Sequence, residues 1–387
     1  NVPPLRFPEF QGKWEKKRIS EFCTLLKGTG ISKDQLSTNG KPCILYGELY
    51  TKYKAEIINE VLSCTELDAN TLVKSKVNDV IIPCSGETAI DIATARCIPF
   101  DDVLLGGDLN ILRSNKVNGS FLAYQLNGKR KYDIARVAQG VSVVHLYGEH
   151  LNNIVISLPV IEEQQKISRL LHLLDERIAT QNKIIEDLKK LKSAIIEMEY
   201  GQMAKSISHI GDFIEQISKR NKDSAIKNVL SVSNSQGFIQ QSEQFENRIV
   251  ASDDTSNYKI VKRNDFAFNP ARINVGSIAR LTTFERGIVS PMYICFRTKD
   301  ILLPEYLDYY FKSKQFSTEI QKRLEGSVRQ CLSFDGLCNI PLSVPAIEIQ
   351  QQIGKRLSAL VQEINLEIDF LELLQKQKKF LLYQMFI

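Results

Sequence analysis

Glycines, histidines and cysteines are the residues through which this chain could do chemistry, and none of them falls into a working pattern. "GTG" at Gly28–Gly30 lacks the third glycine of a dinucleotide-binding turn, and "NGKP" at Asn39–Pro42 lacks the upstream glycine and the hydroxyl residue of a phosphate loop. The four histidines, His145, His150, His172 and His209, are scattered, without paired metal spacing or a serine elbow nearby. Eight cysteines form no CxxC pair; the closest two, Cys331 and Cys338, have six residues and no histidine between them. They read as reduced core thiols rather than zinc ligands or disulfides. Asp and Glu are spread throughout and single out no acid–base pair. The expectation is a chain without catalytic, cofactor-binding or metal-binding residues of its own.

What remains is the scaffold, and the scaffold is written twice. "SLPVIEEQQKI" at Ser157–Ile167 returns as "SVPAIEIQQQI" at Ser343–Ile353, a shift of 186 residues. The same shift lays "KVND" (Lys76–Asp79) over "KRND" (Lys262–Asp265), and Gly140, Leu146, Leu151, Asn153 and Ile154 over Gly326, Leu332, Leu337, Asn339 and Ile340. With a few residues of slippage "RISEF" at Arg18–Phe22 meets "HIGDF" at His209–Phe213. Repetition on this scale means one structural plan used twice. Each copy mixes strand-like runs ("DVIIP", "LNILR", "SPMYICFR") with helical pieces ("GSFLAYQLN", "PEYLDYYFKSKQFSTEIQKRL"), so each reads as α/β, mixed α+β. The expected division is 1–155 and 201–340 for the globular regions, and 156–200 and 341–387 for the helices that follow them.

The helices carry a coiled-coil seam. Ile167, Leu171, Leu174, Ile178, Gln181, Ile185, Leu188, Lys192 and Ile195 step by four and three, and so do Ile353, Leu357, Leu360, Ile364, Glu367, Leu371, Leu374, Lys378 and Leu381. The polar interruptions coincide, Gln181 with Glu367 and Lys192 with Lys378, which argues for a specified pairing of the two. Halves related by a pseudo-two-fold axis would make that pair antiparallel. A helix from Glu162 to Tyr200 rises roughly 58 Å. Two readers held by such a rod could address successive turns of a duplex, about 34–36 Å apart.

Charge neither demands nor forbids nucleic acid. The net charge is +5, with the surplus in the globular parts and clustered in "GKRKYDIAR" and "KRLEGSVRQ". No apolar run approaches the roughly 20 residues of a membrane span, and the opening "NVPPLRFPEF" has neither the basic end nor the apolar middle of a signal peptide, so the cytosol is the expected compartment.

The tandem plan, the two "LPVIEEQQKI" and "VPAIEIQQQI" openings, the helix ends "LKKLKSAIIEM" and "LLQKQKKFLLYQMF", and "LRFPEFQGKWEKKRISEF" near the start together resemble the specificity subunit of Type I restriction-modification systems, over essentially the whole chain. The resemblance implies a non-catalytic bacterial or archaeal protein with two target-recognition domains, joined by helices that pack as an antiparallel coiled coil. Each domain would read half of a bipartite sequence in double-stranded DNA, with the helices as a ruler. The implied partners are two methylation subunits, which bind S-adenosylmethionine and modify adenine, and two ATP-driven, Mg-dependent restriction subunits. "SAIIEMEYGQMAK" is less regular than the second copy's ending.

Readout of base edges needs Arg or Lys for guanine and Asn or Gln for adenine, presented on loops over a rigid scaffold. The candidates are Lys27, Tyr46, Tyr50, Ser85, Glu87, Arg130, Lys131 and Arg136 in the first domain, and Ser231, Asn234, Asn269, Arg272, Asn274, Lys322, Arg329 and Gln330 in the second. "NPAR" at Asn269–Arg272 lacks the second proline and the aromatic residue of the Asn-Pro-Pro-aromatic motif of amino-group DNA methyltransferases and reads as a turn at the DNA surface. Two other classes compete: a self-sufficient DNA-modifying enzyme, which the missing motifs disfavour, and a coiled-coil scaffold that never meets DNA.

Overall fold

Short runs of branched and aromatic residues, punctuated by Asn, Gly and Pro, can form only short strands, and these must pair over long sequence distances to bury their faces. The computed structural model describes residues 2–201, 207–234, 236–244, 254–326 and 330–387. It divides into two units, Asn1–Lys183 with Asp369–Ile387, and Ile184–Ile368. Each holds one globular region together with part of each long helix.

In unit 1 the strands with counterparts in unit 2 are, in chain order, β1 (Thr24–Lys27), β2 (Lys41–Ile44), β3 (Ser63–Thr65), β4 (Val73–Lys74), β5 (Asp79–Pro83), β6 (Arg96–Ile98), β7 (Leu104–Leu105) and β8 (Leu109–Arg113). Helices α1 (Gly119–Asn127) and α2 (Ile161–Tyr200) follow. Unit 2 contributes β9 (Ile214–Ile217), β10 (Val229–Ser233), β11 (Gly237–Gln240), β12 (Lys259–Lys262), β13 (Phe266–Phe268), β14 (Ile278–Arg280), β15 (Arg286–Val289) and β16 (Ile294–Thr298). Then come α3 (Pro304–Tyr310), α4 (Lys314–Gln321) and α5 (Ile347–Gln384).

The duplication is explicit in the sheets. One sheet of unit 1 has the order β1-β8-β5-β6 and its counterpart in unit 2 the order β9-β16-β13-β14, antiparallel throughout in both. The second sheet runs β3-β2-β7-β4 in unit 1, with Leu36–Ser37 added outside β3, and β11-β10-β15-β12 in unit 2. Its one parallel pair, β2 with β7 and β10 with β15, falls at the same place.

Repeated residues do repeated work. Asn78 and Asn264 take the left-handed conformation (φ 78° and 71°) in the two "KxND" turns. The following Asp79 and Asp265 accept the backbone N–H of Lys76 and Lys262, each at 2.8 Å. Both aspartates are buried, and each is forked by an arginine of the last sheet strand, Arg113 at 2.6 Å and Arg297 at 3.0 Å. Ile19 N donates to Ile154 O at 3.0 Å and Ile210 N to Ile340 O at 2.9 Å.

The "SxPxIExQQ" motif has a mechanical cause. The first glutamine of its pair, Gln164 or Gln350, is buried at 3% or 1% exposure in the first turn of its helix. Its amide donates back to the carbonyl of Pro159 or Pro345, each at 2.8 Å. Its side-chain oxygen accepts the backbone N–H of Asn118 (3.0 Å) or Leu303 (2.8 Å), just before α1 or α3. One side chain thus ties the start of each long helix to the domain that precedes it. In unit 1 Glu163 adds a second tie, fully buried and held by Arg6 at 2.7 Å and Trp14 at 3.3 Å.

Within unit 1, α2 and α5 run antiparallel: Asp175 meets Lys378 at 2.5 Å, and two residues further along α2 the Arg177 guanidinium lies over the Phe370 ring. Ile167, Leu171, Leu174 and Leu374 are buried there, with Ile178 and Leu371 half-buried. In unit 2, Ile185, Ile353, Leu357 and Ile364 are buried and Leu188 and Leu360 half-buried. α2 ends at Tyr200, with Gly201 N returning to Glu197 O at 2.8 Å. Among the described residues no helix is long and apolar enough to cross a membrane.

Candidate nucleic-acid interface

The loop leaving β5, and its counterpart leaving β13, gather most of the candidate readers. In unit 1 the loop begins at Cys84, whose N–H bonds Asp108 O at 2.7 Å. Ser85, 6% exposed, donates its hydroxyl to Asp108 Oδ2 at 3.1 Å, so it fixes the loop rather than facing outward. Lys27, at the exposed end of β1, lies close enough to favour the Cys84 thiolate, although burial dominates and pushes that thiol up to about 11. Gly86 must be bare: a Cβ there would come within 2.5 Å of Ile92 and 3.6 Å of the Tyr50 hydroxyl. The Tyr50 phenol is pushed up by burial and then by Tyr46, Glu87 and Asp91, so these groups lie near one another; Tyr46 and Tyr50 are half-buried and Glu87 is exposed.

The basic run that follows α1 is engaged differently. Arg130 bonds Asp133 at 3.2 Å and the Ile387 carbonyl at 2.9 Å. Lys131 is half-buried and its pKa is lowered, by burial first and then by Arg96. Arg136 is exposed, 3.6 Å from Asp133.

In unit 2, Asn269 is buried and its side-chain oxygen accepts the N–H of Ala271 at 3.1 Å, an Asx turn that swings Arg272 and Asn274 into solvent. Gly276, at φ 92°, closes the loop, and the Ser277 hydroxyl bonds Val232 O at 3.3 Å. Asn234, Asn269 and Arg272 line a polar recess of about 210 Å³, completed by Ser277 and Tyr293. Ser231 is 3% exposed within β10 and does not reach the surface. Lys322 pairs with Glu319 at 2.6 Å, Gln330 is exposed, and Arg329 lies outside the described residues. The 186-residue shift sets Ser85 over Ala271 and Gly86 over Arg272, so two unlike sets of polar side chains rise from one scaffold position.

All eight cysteines are free, and burial pushes those of Cys23 and Cys295 up to about 12, which suits packing rather than nucleophilic use. Among the described residues no three His, Cys, Asp or Glu side chains come together as a metal site.

A duplicated α/β scaffold whose equivalent loops differ in polar side chains is the build of a tandem recognition protein, one that presents two unlike surfaces from one frame. Residues 11–190 and 206–375 match the type I restriction modification DNA specificity domain, and the chain belongs to that family. It is 23% identical to the type I restriction enzyme MjaVIII specificity subunit of Methanocaldococcus jannaschii, over 97% of this chain and 92% of that one. The putative MjaX specificity subunit of the same organism is 24% identical over 72% of this chain and 70% of its own length. Among solved structures, the S subunit of a Type I restriction-modification system from M. genitalium aligns over 100% of this chain and 99% of its own, at TM-score 0.62 and 15% identity, a likeness of fold. A chain from a type I R-M assembly aligns at TM-score 0.57 over 98% of each, also at 15% identity.

Proposed function

We propose that this chain is the target-reading subunit of a type I restriction-modification complex, each unit reading one half of a bipartite sequence in double-stranded DNA. Two methylation subunits, using S-adenosylmethionine, would modify adenine at sites so chosen, and two restriction subunits, using ATP and Mg, would act on unmodified DNA, in the cytoplasm of a bacterium or archaeon. The observation that carries this reading is the pair of loops after β5 and β13: they leave equivalent strands of one duplicated sheet but differ in backbone path and in polar side chains, as two readers of different half-sites require. The chain's own part is positional. "KxND" turns and their arginines hold the loop bases, and glutamine ties set each domain against its helix.

Methylome sequencing of a strain expressing this chain with its methylation subunits should show one two-part adenine motif. Inserting one heptad into both long helices lengthens each by roughly 10 Å, which is about three base pairs. The gap should change while both half-sites persist; an unchanged gap rejects the ruler. Modification or cleavage by the purified chain alone would instead revive the self-sufficient enzyme. An assembled complex with no sequence preference would leave only a scaffold.

A further inference from the structure

Unit 2 carries a second polar surface, on the loop between β9 and β10. Its sequence "SKRNKD" (Ser218–Asp223) puts three cations in four residues, and Arg286, the first residue of β15, faces the same cleft of about 730 Å³. Lys219, Arg220, Lys222 and Arg286 are exposed and line it together with Asp223 and Ile226. Among the described residues no ion pair ties any of these four cations.

The loop is set rather than slack. Asn221 is fully buried, and its side chain both donates to Ile226 O (2.9 Å) and accepts from Ile226 N (3.1 Å). Its backbone N–H bonds Tyr258 O at 3.0 Å, and the Arg220 guanidinium bonds Asn257 Oδ1 at 2.8 Å. Four cations share the cleft with a single carboxylate, Asp223, so the lining keeps a net positive charge. An anion in the cleft would supply the missing charge.

We infer that this cleft grips consecutive phosphodiesters of the DNA backbone beside the half-site read by unit 2; the inference rests on the DNA-reading function proposed above. Its position fits. The cleft lies at the start of β10, where the Asn228 amide donates to Arg286 O (3.3 Å), and the Asn234–Asn269–Arg272 recess lies at the strand's far end. The five residues of β10 separate the two by roughly 15 Å. That is of the order of the distance from the floor of a major groove about 12 Å wide and 8.5 Å deep to the backbone on its rim. Lysines and arginines without an aligned amide or carboxylate suit phosphate, which carries no sequence information, rather than base edges. At the matching loop unit 1 has "GTGIS" where unit 2 has "SKRNK", so no cation stands there.

The test uses the chain assembled with its methylation subunits and two duplexes of equal length, one containing the target found by methylome sequencing and one unrelated. Binding is measured by fluorescence anisotropy across a series of KCl concentrations. Each lost phosphate contact lowers the slope of log affinity against log salt by about 0.9. Lys219→Ala/Lys222→Ala/Arg286→Ala should therefore lower it by about two to three, and weaken both duplexes equally, by about tenfold or more at 0.1 M salt. Lys219→Arg/Lys222→Arg should keep the wild-type slope. A triple variant with an unchanged slope overturns the cleft while leaving the DNA-reading function intact. An unchanged slope with poorer recovery of methylation subunits likewise overturns it, in favour of a protein-docking surface. A wild-type assembly that binds neither duplex overturns both.

Discussion

The two units solve one mechanical problem, seating a long helix end against a globular domain, with one device in common and one that differs. Phe386 packs on Phe121 in unit 1 at 5.2 Å, as its counterpart Tyr200 packs on tyrosines in unit 2, but unit 1 adds a buried ionic cluster. Lys378 of α5 lies 2.5 Å from both Glu56 and Asp175, and Tyr124 of α1 donates its hydroxyl to Asp175 at 2.7 Å. Glu56 and Asp175 are 6% and 5% exposed. In unit 2 the seat is aromatic. Tyr200 packs against Tyr306 and Tyr310 with ring centroids 5.0 and 5.8 Å apart and donates its hydroxyl to Tyr306 O at 2.9 Å. The 186-residue shift matches Tyr124 with Tyr310, Lys378 with Lys192, and Asp175 with Val361. The two copies share the tyrosine and the lysine, but the acid beside the lysine stands in unit 1 alone, as Asp175 against Val361. The lesson is that position in a repeat transmits backbone and burial, whereas charge partners can diverge between copies.

The largest effect should come from breaking the ionic seat. Lys378→Met leaves two buried carboxylates with only the more distant Arg96 as counter-charge, and removing one partner of such a group costs about 3–5 kcal/mol. Trp14, the chain's one tryptophan, is buried in unit 1, so its fluorescence during denaturant unfolding reports on that unit. Neutralising all three, Glu56→Gln/Asp175→Asn/Lys378→Met, should recover most of the loss. If the single substitution costs less than about 1 kcal/mol, the contrast between the seats is only geometric.

The two "KxND" turns offer a graded comparison. Asp79→Ala and Asp265→Ala each remove a buried, charge-assisted fork and an N–H acceptor. The Asp79 fork is shorter, and the Arg113 side chain is 25% exposed against 40% for Arg297. We expect a loss of about 2–3 kcal/mol for Asp79→Ala and about 1–2 kcal/mol for Asp265→Ala, the more solvated pair losing less. Thermal unfolding followed by circular dichroism orders them, and equal losses would remove exposure as the cause. In the aromatic seat, Tyr200→Phe keeps the ring packing and gives up one hydrogen bond, so about 1 kcal/mol is expected in the same experiment.

What could be read from sequence was whatever obeys a period. Heptad spacing marks the positions along α2 and α5 where side chains bury, and the 186-residue shift finds both "KxND" turns because a left-handed Asn followed by a buried Asp is a local requirement. Sheet order is not periodic: β2 and β7 pair in parallel across some sixty residues, and short strands do not advertise their partners. The recognition surfaces were half legible. Residue type suggested Asn234, Asn269 and Arg272, which one recess assembles, but equally suggested Ser231, which is buried, and Arg130, whose guanidinium is spent on the chain's own end. "SKRNKD" was passed over because three cations on a loop look like ordinary solvated surface until Arg286 arrives from another strand.

The matched lysines also give the subtlest contrast, one of sign. Burial alone would lower the Lys378 pKa, but Glu56 and Asp175 raise it above its ordinary 10.5, so the folded unit holds that proton more tightly than the unfolded chain. The stability this lends is fully present below pH 10.5 and is lost as pH rises through the higher folded value. Lys192 is lowered below 10.5, by burial first and then by Lys312 and Lys189, so folding is penalised while it must carry a proton. That penalty fades as pH climbs from the depressed value towards 10.5. Lys192 is half-buried rather than enclosed, which holds its effect to under about 1 kcal/mol. Between pH 9.5 and 11, Lys192→Met should therefore remove a small rise in the stability of unit 2, whereas Lys378→Met removes a fall in that of unit 1. Trp14 fluorescence follows unit 1, and in a Trp14→Phe/Phe311→Trp background the same signal follows unit 2. Slopes of the same sign would mean that Lys192 has found an acidic partner after all, and that the two seats differ less than their residues suggest.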